Sequence, residues 1–114
     1  MAAMPNPEAE NHYYLGIDHF SEGRLDEAIR EYQKALELDP ACVDALHGLT
    51  RAHYQEGDHE QAIHYARRIE QLDPDDVLAH TSLSIYYQKL GRIQEAEEEA
   101  NKARVLGWKQ KLKK

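Results

Sequence analysis

Seven histidines and one cysteine are the residues of this sequence best suited to hold a metal or do nucleophilic chemistry. A helical zinc site needs two histidines four residues apart, so that both imidazoles meet one ion. His12 and His19 are instead seven apart, two turns along one helical face, and His53 and His80 occupy related helix-packing positions. Cys42 has no second cysteine to share a ligand set or a disulfide. The spacing therefore favours histidines packed between helices, with His59 and His64 at the surface, over a metal or cofactor site. Buried neutral histidines at 19 and 53 would have lowered pKa values, and the stability they add would fade as pH falls. Catalysis finds no footing either. There is no glycine-rich phosphate loop and no nucleophile with a matched base, and Glu95, Glu97, Glu98 and Glu99 read as a solubilising helix face. The expectation is a non-enzymatic protein with no metal, no cofactor and no small-molecule substrate.

The elements that position these residues follow from internal repetition. Gly23, Gly57 and Gly91 are spaced 34 residues apart, as are Ala28, Ala62 and Ala96, and Leu15, Leu49 and Leu83. Pro40 and Pro74 keep the interval, and Trp108 stands where a third proline would fall. The units run 9–42, 43–76 and 77–110. Helical apolar spacing covers 9–22, 43–56 and 77–90, and again 25–38, 59–72 and 93–106. Each repeated glycine falls where the first helix of a unit must turn through a left-handed conformation. Asp58 with Gln61 has the spacing of a helix-capping pair, and Asp39-Pro40 and Asp73-Pro74 stop the second helices. Residues 1–8 read as a disordered or extended N-terminus. Only eight residues follow Leu106, a basic tail (107–114) read as too short for a helix of its own.

This pattern resembles the tetratricopeptide repeat, a 34-residue helix-turn-helix unit. The first unit supplies Leu15, Gly16, Ala28, Tyr32, Ala35 and Pro40; the second Leu46, Leu49, Ala62 and Pro74; the third Leu83, Ser84, Tyr87, Ala96 and Ala103. His12, His19, His53 and His80 replace larger residues of the pattern. The resemblance covers residues 9–110 and implies an all-α fold, a right-handed α-solenoid of three helix-turn-helix repeats. Gly16, Thr50 and Ser84 would let paired helices approach, and Leu15, Leu49 and Leu83 would fill the seams. Such a fold tolerates few bulky aliphatics: Leu, Ile, Val and Phe number 22, against 14 Ala and 7 Tyr.

The resemblance further implies a concave groove lined by the first helices of the units, which binds extended or helical peptides. Carried over by register, the lining comprises Tyr13, Ile17, Phe20, His47, Arg51, Tyr54, Gln55, Leu78, Thr81, Ile85, Gln88 and Lys89. Tyr13, Ile17 and Phe20 share one face, and clustered exposed apolar residues mark a binding surface. Arg51 offers a forked cation to a carboxylate or to peptide carbonyls. The expected partner is a protein or peptide with apolar anchors and an acidic group, in an adaptor, scaffold or assembly role, with self-association another use of such surfaces. The Lys/Asn/Arg clamp by which co-chaperone members hold chaperone C-termini is missing, because its five places carry Tyr13, Ile17, Gly48, Leu78 and Ser82.

Charge divides the chain. The net charge is −7, yet all 21 acidic residues precede position 101, while residues 101–114 carry six cations and no acid. The acidic body argues against nucleic acid as a partner. Trp108 and Leu112 among the tail lysines leave anionic membrane or nucleic acid open for the tail alone. The first ten residues lack a secretory pattern, no apolar run spans a bilayer, and a lone cysteine suits a reducing compartment, so the expected location is the cytoplasm.

Overall fold

A computed structural model describes residues 6–113 and shows six helices: α1 (Pro7–Ser21), α2 (Leu25–Leu38), α3 (Val43–Gln55), α4 (His59–Leu72), α5 (Val77–Lys89) and α6 (Ile93–Leu112). They pair as α1 with α2, α3 with α4 and α5 with α6, and each pair stacks on the next through α2–α3 and α4–α5. This is an all-α helical-repeat solenoid with the expected period.

The punctuation works as the residue types dictate. Gly23, Gly57 and Gly91 turn at φ of +79°, +85° and +76°, where a Cβ is strained. Asp58 caps α4, its carboxylate accepting the Gln61 N–H at 3.2 Å. The second helices of the first two units end at Leu38 and Leu72, before Asp39-Pro40 and Asp73-Pro74.

Both ends depart from the sequence reading. Asn6 accepts the amides of Glu8 and Ala9 at 3.0 and 3.1 Å, and Pro7 takes the first helical position, which needs no N–H. Helix therefore begins at Pro7 rather than at residue 9; residues 1–5 of the expected extended N-terminus, like Lys114, lie outside the described residues. At the other end α6 runs to Leu112, six residues beyond the expected stop. The tail need not nucleate a helix of its own. It only propagates one already formed, and no proline stands at position 108 to halt it.

Close approach of helices sets the core. Tyr32 lies in a slot between Gly16 on α1 and Gly48 on α3; an added Cβ would meet its ring at 2.5 Å and 2.6 Å respectively. Thr50 and Ser84 are buried where small residues were expected. Leu49 and Leu83 are fully buried in their seams, but Leu15, in the same register, is 41% exposed. Leu49 and Leu83 have a preceding unit to pack on, and α1 has none among the described residues. No described helix is long and apolar enough to cross a membrane.

Candidate functional site

Helices α1 and α3, the first helices of the first two units, bring part of the expected groove together. Tyr13, Ile17 and Phe20 of α1 meet Arg51 of α3 around a pocket of about 140 Å³, completed by Tyr32 and Gly48. The Tyr13 and Tyr32 rings lie 6.0 Å apart, tilted. Burial raises the pKa of the Tyr13 hydroxyl, and Asp44 raises it further while Arg51 opposes. Burial likewise raises that of Tyr32, against the pull of Arg51. The guanidinium of Arg51 is thus felt by both phenols, and it is exposed and without an ion pair among the described residues. Tyr32 and Gly48 were not expected in the lining. Tyr32 belongs to a second helix, whose residues the register assigns to the core, and only the absence of side chains at Gly16 and Gly48 lets its ring reach through.

The remaining residues of the expected lining serve several purposes. His47 is held by Asp76, Nε2 to Oδ2 at 2.9 Å, tying α3 to the cap of α5. Tyr54 packs on Tyr86 at 4.9 Å and on His59 at 5.4 Å. Thr81 and Ile85 line a separate pocket of about 330 Å³ with Ala100, Ala103 and Arg104 of α6, at the C-terminal edge. Leu78, Gln55, Gln88 and Lys89 are exposed. The structure gathers Tyr13, Ile17, Phe20 and Arg51, and does not gather all twelve into one pocket.

The histidines do more than fill space. His12 Nδ1–H donates to Glu31 Oε1 at 2.8 Å, and this bond, against some burial, holds the Glu31 carboxyl below the usual range. His53 is buried and bonds Glu56 at 2.7 Å. His80 is 3% exposed: Nδ1–H donates to Glu99 Oε1 at 2.8 Å and Nε2–H to the Pro74 carbonyl at 2.7 Å. Both partners only accept, so the ring carries both protons. Burial alone would lower the His80 pKa, but the bonds to Glu99 and Pro74 and the nearby carboxylates outweigh it, and the net shift is upward. Burial opposes ionisation of Glu99, yet His80 and Lys102 hold its carboxyl below the ordinary value. Of the two histidines expected to be buried, His53 is and His19 is only partly so. One expectation is corrected here: Glu99 is 4% exposed and is no part of a solvated face. Linear distance hid the His80–Glu99 pair, since 19 residues and a turn separate its members.

Among the described residues, two groups could contribute ligands to a metal: His53, Glu56 and Asp58, and Glu70, His80 and Glu99. Cys42 is buried, and burial pushes its thiol pKa up, away from a reactive thiolate.

Comparison with known proteins places this geometry. A family model described as "Tetratricopeptide repeat" matches residues 19–83 and 53–104, most of the chain. The chain belongs to the tetratricopeptide repeat family. The fold is also that of the solved structure of MamA, at a TM-score of 0.89 and 27% identity over 90% of this chain. This chain spans 60% of that one. The second TPR of Spaghetti (RPAP3), solved with the HSP90 peptide SRMEEVD, superimposes at 0.83 with 21% identity, covering 88% of this chain and 93% of that one. PcrH from Pseudomonas aeruginosa does so at 0.83 and 23%, covering 91% and 79%. No curated protein sequence matches the chain. The tetratricopeptide fold is a protein-interaction fold, and Tyr13 and Arg51 line a pocket between α1 and α3.

Proposed function

We propose that this tetratricopeptide protein is a non-enzymatic adaptor, scaffold or assembly factor. Its concave groove takes a short peptide or helix of a partner protein. The observation that carries this reading is an unpaired guanidinium, Arg51, beside a small aromatic-walled pocket at Tyr13, Ile17 and Phe20. An apolar side chain fits the pocket, and a neighbouring acidic group pairs with the fork. Structural neighbours solved with an HSP90 peptide, or as the CopN–Scc3 complex, support a peptide or protein as the ligand class. The ligand is not a chaperone C-terminus held by a Lys/Asn/Arg clamp, since Tyr13, Ile17, Gly48, Leu78 and Ser82 stand at those places.

The test is affinity capture with mass spectrometry, using the intact chain and a Tyr13→Ala/Arg51→Glu double variant, then titration of the captured partner's peptide. Loss of the partner in the double variant is expected. Equal affinity for both proteins removes the groove from the reading.

A second reading concerns the end of α6. Val105, Trp108 and Leu112 are 53%, 64% and 68% exposed and lie on one helical stripe flanked by Lys109 and Lys113. A basic amphipathic helix with a tryptophan suits an anionic lipid surface. Co-sedimentation with phosphatidylserine vesicles, with and without residues 108–114, tests it; no salt-sensitive binding retires it.

A further inference from the structure

At the junction of the second and third repeats, three elements converge on one point. Glu70 comes from α4, His80 from α5 and Glu99 from α6. His80 Nδ1 lies 2.8 Å from Glu99 Oε1 and 3.2 Å from Glu70 Oε2. Glu70 Oε2 is shielded from water and makes no hydrogen bond. We propose that Glu70, His80 and Glu99 form a divalent transition-metal site, with zinc the ion their donors suit best.

One imidazole nitrogen and two carboxylate oxygens are a borderline donor set, matched to zinc rather than to calcium or magnesium, which take mainly oxygen. Tetrahedral bonds of about 2.1 Å separate neighbouring ligand atoms by about 3.4 Å. The two separations from Nδ1, 2.8 and 3.2 Å, need to open by about 0.6 and about 0.2 Å to reach that, and all three ligand atoms lie within 4.8 Å of one another. The orientation of His80 is already fixed, since Nε2–H donates to the Pro74 carbonyl at 2.7 Å. That is the outer bond that usually directs a histidine's other nitrogen at a metal.

The charge also balances. Two positive charges face both carboxylates, the Nδ1 proton of His80 and the ammonium of Lys102, 2.9 Å from Glu99 Oε2 and 3.6 Å from Glu70 Oε2, while Arg67, 3.7 Å from Glu70 Oε1, pairs with that residue's other oxygen. A divalent ion replaces both. The Nδ1 proton leaves to solvent, and Lys102, whose side chain is half exposed, swings outward. A cavity of about 600 Å³ opens beside the cluster, floored by Pro74, Val105 and Leu106, and gives the ion an entry path and room for a water as fourth ligand. The first repeat supplies an internal control. His12, Glu31 and Lys34 repeat the arrangement 68 residues earlier, but no third ligand reaches them.

The test is calorimetric titration of zinc into the full chain, stripped of metal with EDTA and then dialysed. One tight site is expected, strengthening from pH 6.5 to 8 as the Nδ1 proton becomes easier to displace. Glu70→Gln, which keeps the His80–Glu99 bond and hence the fold, is expected to weaken that site at least tenfold. Lys102→Ala tightens it by removing the competing cation, and His12→Asn leaves it unchanged. No tight uptake at pH 8 by either the intact chain or the Lys102→Ala variant overturns the proposal. So does tight uptake that Glu70→Gln leaves intact.

Discussion

The first and third repeats carry the same three residue types at the same spacing, and the fold treats them differently. His12, Glu31 and Lys34 in the first repeat match His80, Glu99 and Lys102 in the third, with a histidine–glutamate bond of 2.8 Å in each. The middle repeat has Leu46 and Tyr65 at the histidine and glutamate positions. In the first repeat the histidine and glutamate side chains keep 30% and 15% of their exposure; in the third, 3% and 5%. The difference is the neighbour. Helix α4 lies over the third repeat's pair and adds Glu70, whereas no described helix precedes α1. A repeat therefore does not own its core; the preceding unit completes it, as expected of a quasi-one-dimensional fold.

The comparison breaks most sharply at the glutamates. Glu99→Ala leaves His80 buried with one partner lost, and breaking a buried pair costs about 3–5 kcal/mol. Glu31→Ala removes a bond nearer to solvent and costs about 1 kcal/mol or less. Urea denaturation of the two variants measures both, and equal losses would mean that the covering helix contributes nothing.

The seam leucines carry the same contrast without charge. Leu83→Ala empties a fully buried position and costs about 2–4 kcal/mol. Leu15→Ala, at the matching but 41% exposed place, costs about 1 kcal/mol or less. Thermal melts of the pair suffice.

A smaller effect of pH acts on the third repeat's pair in metal-free protein. The folded pKa of His80 is raised, so its contribution is complete below the ordinary imidazole value of 6.5 and is lost as pH rises through the folded value. That of Glu99 is lowered, so its contribution is complete above the ordinary 4.5 and is lost as pH falls through the folded value. The difference in melting temperature between the intact chain and His80→Asn should therefore be greatest between those two pH values. A difference that keeps growing toward pH 8 contradicts the doubly protonated ring.

Much of this was legible in the residues and some was not. Gly23, Asp58 and Asp39-Pro40 act on their own neighbours, so the helix limits they set can be read locally. The seam positions were legible by register, except that register assigned Leu15 a neighbour the described chain does not supply. The clustering of Tyr13, Ile17, Phe20 and Arg51 was legible, because they sit on adjacent first helices. Tyr32 escaped because its ring crosses the helix pair through space vacated by Gly16 and Gly48. Glu99 escaped because its run of glutamates looks uniform along the chain, while only one of them turns toward α5. A signal was present all the same: His, Glu and Lys recur together 68 residues apart, and that coincidence marks a contact rather than a surface.

The two ends of the solenoid differ last in what lies beyond them. Past Leu106, α6 continues with Gly107 inside it, one residue before Trp108. Glycine in a helix interior gives up about 1 kcal/mol relative to alanine, because it loses more backbone freedom on ordering. A Cβ at Gly107 would meet nothing within 4 Å, so alanine there carries no packing penalty. Gly107→Ala should therefore stabilise the extension by up to about 1 kcal/mol. Amide exchange should slow at residues 108–112 with little change in the global melt, since those residues cover none of the buried core. The same substitution at Gly48 would drive a Cβ to 2.6 Å from the Tyr32 ring and must destabilise the protein instead. Exchange at 108–112 that stays as fast in Gly107→Ala as in the intact chain would mean that the helix ends near Leu106 in solution, and the stripe of Val105, Trp108 and Leu112 would lose its basis.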